Sequence, residues 1–146
     1  MSAMSNYLEN KIVDHILRGT PYTAPTPNVC IGLFTATAND SWGGTEVSGG
    51  NYARANVAAS LTGWTGTQGG PGSVSSGTTG FANNATTITF NAPTANWGVV
   101  TGFGMYDAYT GGNLLFYGDL TTPKTINNGD GAPSFAANTL CIQIDN

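Results

Sequence analysis

The sequence predicts a mainly β protein, with an antiparallel β-sandwich or barrel-like body and one N-terminal α-helix. About seven short runs rich in β-branched and aromatic residues are separated by Gly-, Asn- and Thr-rich turns. Helical periodicity is confined to residues 6–18, ahead of all these runs. Because no helices alternate with the strands, the pattern favours an antiparallel sheet over a parallel βαβ arrangement.

The chain is poor in charge. Of its 146 residues, four are Lys or Arg and eight are Asp or Glu, which gives a formal net charge of −4. Four basic residues cannot neutralise a phosphate backbone, so a nucleic-acid partner is not expected. No apolar run approaches the roughly 18–20 residues that cross a bilayer, so no membrane partner is expected either. The N-terminus lacks the apolar stretch of a secretory signal, which predicts synthesis in the cytoplasm.

Length and patterning predict a single domain over residues 1–146 that begins with a helix over residues 6–18. Asn6 is the expected N-cap, with Glu9 completing a capping box, and Gly19 ends the helix. The apolar positions recur at helical spacing and predict one broad buried face, formed by Tyr7, Leu8, Ile12, Val13, Ile16 and Leu17.

After the helix, residues 19–28 form a Pro-rich arm, because each proline biases its predecessor away from helix. The β body spans residues 29–146, and its first central strand is predicted over residues 28–35. Residues 36–50 are a predicted loop, and residues 60–80 a longer Gly/Ser/Thr-rich loop whose length indicates a functional or partner-ordered segment. Further strands are predicted over residues 52–58, 86–90, 97–106, 113–117 and 139–144.

The two cysteines, Cys30 and Cys141, lie in separate apolar strand-like runs. One interpretation is a disulfide that ties the first strand to the last. The other, which we favour, is two buried thiols acting as small hydrophobic residues. Neither has the close CxxC spacing of a metal or redox pair.

The titratable side chains show no catalytic or metal-binding pattern. His15 is the only histidine and lies mid-helix, which favours a structural or surface role. Asp107, Asp119 and Asp130 sit at strand ends or turns, where Asp hydrogen-bonds its own backbone, rather than as a hydrolytic pair. We therefore expect a protein that is not an enzyme, with no catalytic residue, no cofactor and no metal.

Two glycines within a predicted strand, Gly102 and Gly104, do not complete a dinucleotide-binding fingerprint. They indicate a bulge or close backbone packing instead.

Two tryptophans, Trp42 and Trp64, lie in Gly/Thr/Ser-rich loops. Each ring can stack on a sugar or insert into a partner's pocket, and each can equally fold back over its own sheet. The first two alternatives both predict a binding or assembly protein.

Several segments of the chain resemble small virion proteins of tailed bacteriophages. The similarity covers most of the chain and is carried by residues 7–20, a strand ending at Thr35, and residues 44–54, 97–107 and 111–124. Proteins of this kind are identified as tail-fibre-like in some phages and as capsid decoration (cement) proteins in others. The resemblance therefore implies a non-enzymatic virion structural protein.

Of these two roles, we expect a cement protein that is made in the host cytoplasm and stabilises the icosahedral head from its outer surface. Cement proteins of this kind usually act as trimers, so its expected partners are the major capsid protein and itself, as a homotrimer. A surface of Thr, Asn, Ser and Gly has a low desolvation cost, which suits such lattice contacts. The alternative is a tail-fibre or tail-associated adhesin that binds host-surface glycan through the Trp42 and Trp64 loops. The expected interface residues are Tyr7, Leu8, Ile12, Tyr22, Trp42 and Trp64.

Overall fold

The computed structural model describes residues 2–41, 43–66 and 72–144. In chain order, these ranges contain β1 (Ser2–Met4), α1 (Asn6–Leu17), β2 (Asn28–Ala36), β3 (Thr45–Glu46), β4 (Ala55–Ala58), β5 (Phe81–Asn83), β6 (Ile88–Thr89), β7 (Gly98–Tyr106), β8 (Leu114–Ile126), β9 (Ser134–Phe135) and β10 (Cys141–Gln143).

The strands pair antiparallel throughout the described sheets. The largest sheet has six strands in the order β1-β8-β7-β2-β3, and β4 also pairs with β2. Two smaller sheets, β10-β5 and β6-β9, have two strands each. Because the six-stranded sheet ends at edge strands, it is open and does not close into a barrel. The prediction of a mainly β, antiparallel fold with one N-terminal helix is confirmed, and the single-domain organisation stays a prediction.

The main core lies between the six-stranded sheet and the two small sheets. Alternate residues of a strand point to one face, and Val29, Ile31 and Leu33 of β2 are all buried on this side. The same core includes, from β7 and β8, Phe103, Met105 and Leu115, and from the second layer Ile88, Phe90, Leu140 and Ile142. Ile88 and Phe90 are two positions apart, and both are buried in this core.

On the opposite face of the sheet, glycines make room for neighbouring side chains. A Cβ added to Gly104 would lie 2.5 Å from Phe34 Cε2 and 2.8 Å from Leu114 Cδ1. Because Phe34 is fully buried, its ring cannot move aside for a larger residue. Close backbone packing at Gly102 and Gly104, as the sequence indicates, is confirmed.

Strand β8 contains a long bulge. Gly102 of β7 pairs with Asp119, and Val100 pairs with Lys124. Residues 120–123 of β8 therefore lie opposite the single residue Thr101. Pro123 falls within this bulge, where its missing N–H costs no ladder hydrogen bond. The bulge separates these residues from the partner strand.

The helix begins at Asn6, so its N-cap lies one residue earlier than predicted. Ser5, not Asn6, is the N-cap, and its Oγ accepts a hydrogen bond from the N–H of Leu8 at 3.3 Å. The same hydroxyl donates to the carbonyl of Leu114 at 2.5 Å, so the cap also attaches the helix to the start of β8. Within the described chain, no helix is long and apolar enough to cross a membrane.

The predicted broad buried face of the helix is wrong in its second half. Leu8 is 5% exposed and belongs to the main core, and Ile12 is half-buried against it. Val13, Ile16 and Leu17 are 48%, 69% and 77% exposed. Only the first turns of the helix pack on the sheet, and the last turns extend beyond it.

Strand boundaries differ from the prediction in both directions. The structure shortens the predicted strands over residues 52–58, 86–90 and 139–144 to β4, β6 and β10, and it extends the strand over 113–117 to Ile126. It also adds β1, β3, β5 and β9, of two or three residues each, which are too short to show a period in the sequence.

The predicted loop over residues 60–80 is only partly a loop. Trp64 forms a bridge with Asn84, and the N–H of Thr65 donates to the carbonyl of Asn83 at 2.8 Å. These contacts join the start of the segment to β5. Residues 67–71 lie outside the described residues, so a partner-ordered loop there stays a prediction.

Both cysteines are free thiols, as favoured from the sequence. Cys30 is buried, and that burial raises the pKa of its thiol. Cys141 is exposed, so the expectation that both are buried is wrong for this residue. Its side chain points away from the core, because the residues on either side, Leu140 and Ile142, are the ones buried in the core.

Truncating Leu8 and Ile16 separately tests this division of the helix. We expect Leu8→Ala to lower the free energy of unfolding by about 2–5 kcal/mol, because it leaves a cavity in the core. Ile16→Ala removes a solvent-exposed side chain from the same helix and should change stability by less than about 0.5 kcal/mol. Urea unfolding of both variants measures the difference, and equal losses would contradict the described burial of the helix.

Candidate functional site

A buried ion pair lies beside the glycine-rich face of the sheet. Arg54 is 7% exposed, and its Nη2 lies 2.7 Å from Glu46 Oε2. Arg54 Nε also donates to Glu46 Oε1 at 2.8 Å. Two parallel N–H···O bonds of this kind are the strongest geometry available to an Arg–carboxylate pair.

The remaining donors of Arg54 hold the turn between β7 and β8. Its Nη1 donates to the carbonyl oxygens of Ala108 at 2.9 Å and Gly111 at 2.7 Å. The guanidinium carbon lies 3.3 Å from the centroid of the Tyr106 ring, so the cation also stacks on an aromatic face. A single side chain thereby connects β3, the start of β4, β7 and the β7–β8 turn.

Tyr52 and Gly32 complete this network. The hydroxyl of Tyr52 donates to Glu46 Oε1 at 2.8 Å and accepts from the N–H of Leu33 at 2.9 Å. A Cβ at Gly32 would lie 2.8 Å from Glu46 Oε1 and 3.1 Å from Tyr106 Cε2. The glycine therefore makes the space in which the ion pair sits above β2.

Burial and charge fix the protonation of the network. Burial raises the pKa of Tyr52 far above its ordinary value, although the hydrogen bond from Leu33 opposes this. For Arg54, burial lowers the pKa, but the hydrogen bonds and charge of Glu46 outweigh it and the net shift is upward. Tyr52 stays neutral and Arg54 stays charged at ordinary pH, so these groups stabilise the fold and are poorly suited to proton transfer.

Two of the carboxylates form turns, as the sequence indicates. The Oδ1 of Asp107 accepts the N–H of Asn113 at 2.6 Å, and its Oδ2 accepts the Asn113 side chain at 2.7 Å. Asp130 accepts the N–H of Asn127 at 2.8 Å. Asp119 is exposed on β8, next to the bulge. Among the described residues, no three His, Cys, Asp or Glu side chains cluster as metal ligands do.

His15 has a structural contact. Its Nδ1 accepts the N–H of Tyr22 at 3.2 Å, which joins the predicted arm of residues 19–28 back to the helix. Tyr22 itself packs against the edge of the main core. The predicted structural or surface role of this histidine is confirmed.

A second polar contact joins β8, near the start of the helix, to the loop that contains Asp40. The hydroxyl of Tyr117 donates a short hydrogen bond to Asp40 Oδ1, and the carbonyl of Asp40 accepts the N–H of Asn6 at 3.1 Å. This hydrogen bond, then partial burial and the charges of Asp40 and Glu9, raise the pKa of Tyr117 to about 12.

The exposed end of the helix presents an apolar patch formed by Val13, Ile16 and Leu17. The three residues are spaced i, i+3 and i+4 and therefore lie on one side of the helix. They are among the most exposed large hydrophobic side chains in the described chain. Isolated exposed hydrophobic residues are common, but a contiguous group on one helix face indicates a protein contact.

An interlayer cavity of about 350 Å³ lies at the other end of β8. Its floor is apolar, and the rings of Phe90 and Phe103 each meet Phe135 edge-on, with centroids 6.2 and 6.3 Å apart. Its rim is polar and includes Asp119, Lys124 and Cys141, all three of them exposed. An apolar floor with a few polar groups at the mouth is typical of a binding pocket.

The six expected interface residues do not share one environment in the structure. Leu8 is buried in the core of its own chain, and Tyr7, Ile12 and Tyr22 pack half-buried against that core. Trp64 also packs on the core, so it follows the fold-back alternative. Trp42 lies outside the described residues.

The ion pair was not predicted from the sequence, although a signal was present. Glu46 and Arg54 are the only charged residues between positions 41 and 106, and they have opposite sign. In so neutral a stretch, an isolated pair of opposite charges predicts a buried partnership, because exposed surface normally carries more charge than this. The apolar patch and the cavity depend on tertiary contacts and had no comparable signal.

Removing the cation tests the structural role of the pair. We expect Arg54→Met to lower the free energy of unfolding by about 3–5 kcal/mol, because Arg54 is buried and its loss leaves the partly buried carboxylate of Glu46 unpaired. Arg18→Met breaks the exposed pair with Asp14 and should cost less than about 1 kcal/mol. Thermal or urea unfolding compares them. The double variant Arg54→Met/Glu46→Gln should recover part of the loss, and no recovery would contradict an unpaired charge as its cause.

Alkaline titration tests the Tyr117 contact. Its pKa is raised from 10.0 to about 12 in the folded protein, so the neutral phenol is favoured by folding. The contact therefore contributes stability below about pH 10 that is lost as pH rises towards 12. We expect Asp40→Asn to lower this pKa, measured as the tyrosinate absorbance that Tyr117→Phe removes. An unchanged pKa in Asp40→Asn would contradict the assigned bond.

Comparison with known proteins identifies the family. No curated protein matches the chain. A family model described as "Podophage GP4 fiber I protein gp80" matches residues 3–143, which is nearly the whole chain. The resemblance to virion proteins of tailed phages is thereby confirmed. The chain belongs to the podophage GP4 fiber I protein gp80 family of phage virion proteins.

Proposed function

We propose that this protein is a non-enzymatic structural subunit of a phage fibre and that it acts by binding other protein subunits. The observation that carries the proposal is the apolar patch, whose Ile16 and Leu17 are 69% and 77% exposed. A helix face that is apolar and left uncovered by its own chain is suited to a protein partner. The family description, which names a fibre protein, supports the fibre as its location.

The contacts that the ionisable side chains make support a role without catalysis. Glu46 and Arg54 satisfy each other inside the fold, and Asp107 and Asp130 hold turns. General acid–base catalysis needs titratable groups that reach a common substrate. In the part of the chain that the structure describes, these side chains are engaged in separate structural contacts.

The distribution of positive charge supports a protein partner. The chain has four basic residues, and two of them, Arg18 and Arg54, are in ion pairs. Lys11 Nζ lies 5.7 Å from the centroid of the Tyr7 ring on the helix, and Lys124 follows the bulge of β8. Such scattered cations do not form the continuous basic surface that binds nucleic acid.

A capsid decoration protein is the second candidate, with the major capsid protein as its partner and a homotrimer as its assembled form. The favouring observation is the short helix Asn6–Leu17, which is 12 residues long. Fibres that form trimers on their own commonly use longer heptad segments, whereas a small β body with one apolar patch also suits attachment to a preformed shell. The glycan-binding alternative is less well supported, because Trp64 packs on the core of its own chain.

Locating the protein on the particle tests the proposal. Purified virions are labelled with a gold-conjugated antibody against this chain and imaged by electron microscopy. We expect label on the fibres at the tail. Label spread evenly over the head would contradict the fibre assignment and favour the capsid decoration role on its outer surface. An antibody against the major capsid protein serves as the control for labelling of the head.

A further inference from the structure

We propose that the apolar patch of one copy of this chain inserts into the interlayer cavity of a second copy, so that copies join head to tail. The inference deepens the proposed function, on which it rests, by naming the partner as another copy of the same protein. Four observations support it: the fit of side chains to cavity, the positions of the two surfaces, their charges, and the apolar lining.

The size of the cavity suits the side chains of the patch. An apolar cavity of roughly 150 Å³ accommodates a benzene molecule. The interlayer cavity, at about 350 Å³, has room for the two four-carbon side chains of Ile16 and Leu17. Both are more than two-thirds exposed and extend from the last turn of the helix, so they can enter a recess without unfolding their own chain.

The lining of the cavity matches an aliphatic occupant. The floor contains Phe90, Phe103 and Leu140, which are all buried members of the main core. Filling this space with branched aliphatic side chains would cover apolar surface on both copies. An aliphatic occupant would not displace hydrogen bonds at the floor, because the polar groups of the cavity lie at its rim.

The patch and the cavity are separate surfaces, although Ser2, shortly before the helix, also lines the cavity. The helix is attached at the start of β8, where the N–H of Ser5 donates to the carbonyl of Leu115 at 2.9 Å. The cavity is lined by the second part of the same strand, from Asp119 to Ile126, and by no residue of α1. A contact between unlike surfaces of two identical chains is heterologous, and such contacts generate rings or filaments rather than isolated dimers.

Charged groups at the two surfaces can pair, although the rim of the cavity carries one charge of each sign. Arg18 follows the patch and its side chain is 73% exposed, although it contacts Asp14. The rim of the cavity carries the exposed carboxylate of Asp119, which would attract this cation, and the exposed ammonium of Lys124. The ammonium would face the carbonyl end of the helix, where the helix dipole favours positive charge.

Disulfide trapping tests the contact, because Cys141 is an exposed native thiol at the rim of the cavity. In Leu17→Cys, the new thiol would enter the cavity of the neighbouring copy. Copper–phenanthroline and oxygen remove one proton and one electron from each thiol and form the Sγ–Sγ bond. We expect non-reducing electrophoresis to show a ladder of two, three and more linked chains that collapses on reduction. Cys30 is buried and does not compete.

Two control variants identify the contact. Leu17→Cys/Cys141→Ser should lose the ladder, because the acceptor thiol is gone. Val74→Cys places a thiol at a 73% exposed apolar position outside the patch and should give no ladder. Unchanged urea unfolding midpoints would show that all three variants fold.

Two results would overturn the inference. One is the absence of linked products from Leu17→Cys at the highest protein concentration attainable. The other is a product that stops at two chains and survives Cys141→Ser, since that product comes from a symmetric contact between two helices. Neither result bears on where the protein sits in the particle. Gold label on the head, in turn, would contradict the fibre assignment without removing a Cys141-dependent ladder.

Discussion

The ion pair between Arg54 and Glu46 connects parts of the chain that are far apart in sequence. Its carboxylate lies on β3 and its guanidinium just before β4, and the same guanidinium bonds the carbonyls of Ala108 and Gly111 in the β7–β8 turn. Because Arg54 is buried and Glu46 is only partly exposed, each depends on the other for part of its solvation. The register of β2 between β7 and the edge strands is therefore tied to one polar network as well as to apolar packing.

This network explains the glycine-rich strands. A buried guanidinium, a carboxylate and an aromatic ring need room directly above the backbone, and Gly32 provides it where a Cβ would lie 2.8 Å from Glu46 Oε1. Gly104 provides the corresponding room for the Phe34 ring. The opposite faces of the same strands carry the large side chains of the main core, such as Ile31 and Met105. Large side chains of the strands thus fill one face. On the other face, groups such as the ion pair and the Phe34 ring lie directly over the glycine positions.

The parts of the fold that the sequence predicts are those with a strong local pattern. The β2 and β7 strands follow from runs rich in β-forming residues, and the glycine packing follows from glycines inside a strand. The cap at Ser5 was missed because its choice over Asn6 depends on a tertiary bond to Leu114, which leaves no mark in the local pattern. The exposure of Ile16 was missed for a similar reason, since periodicity shows which helix face is apolar but not how far the sheet beneath it extends. The cavity depends on the bulge opposite β7, which arises from pairing between distant residues.

The exposed end of the helix is held in place by contacts that its core packing does not supply. An isolated helix of about 12 residues is marginal in water, and the apolar side chains in the last turns of α1 are exposed. They are instead held by the Arg18–Asp14 pair at 3.1 Å, by the bond from Tyr22 to His15 at 3.2 Å, and by the N–H of Thr20 donating to the carbonyl of Asp14 at 3.1 Å. These contacts keep Ile16 and Leu17 in a helical arrangement before any partner is present. Since ordering a segment on binding reduces affinity, a patch that is already ordered can bind more tightly than a flexible one of equal area.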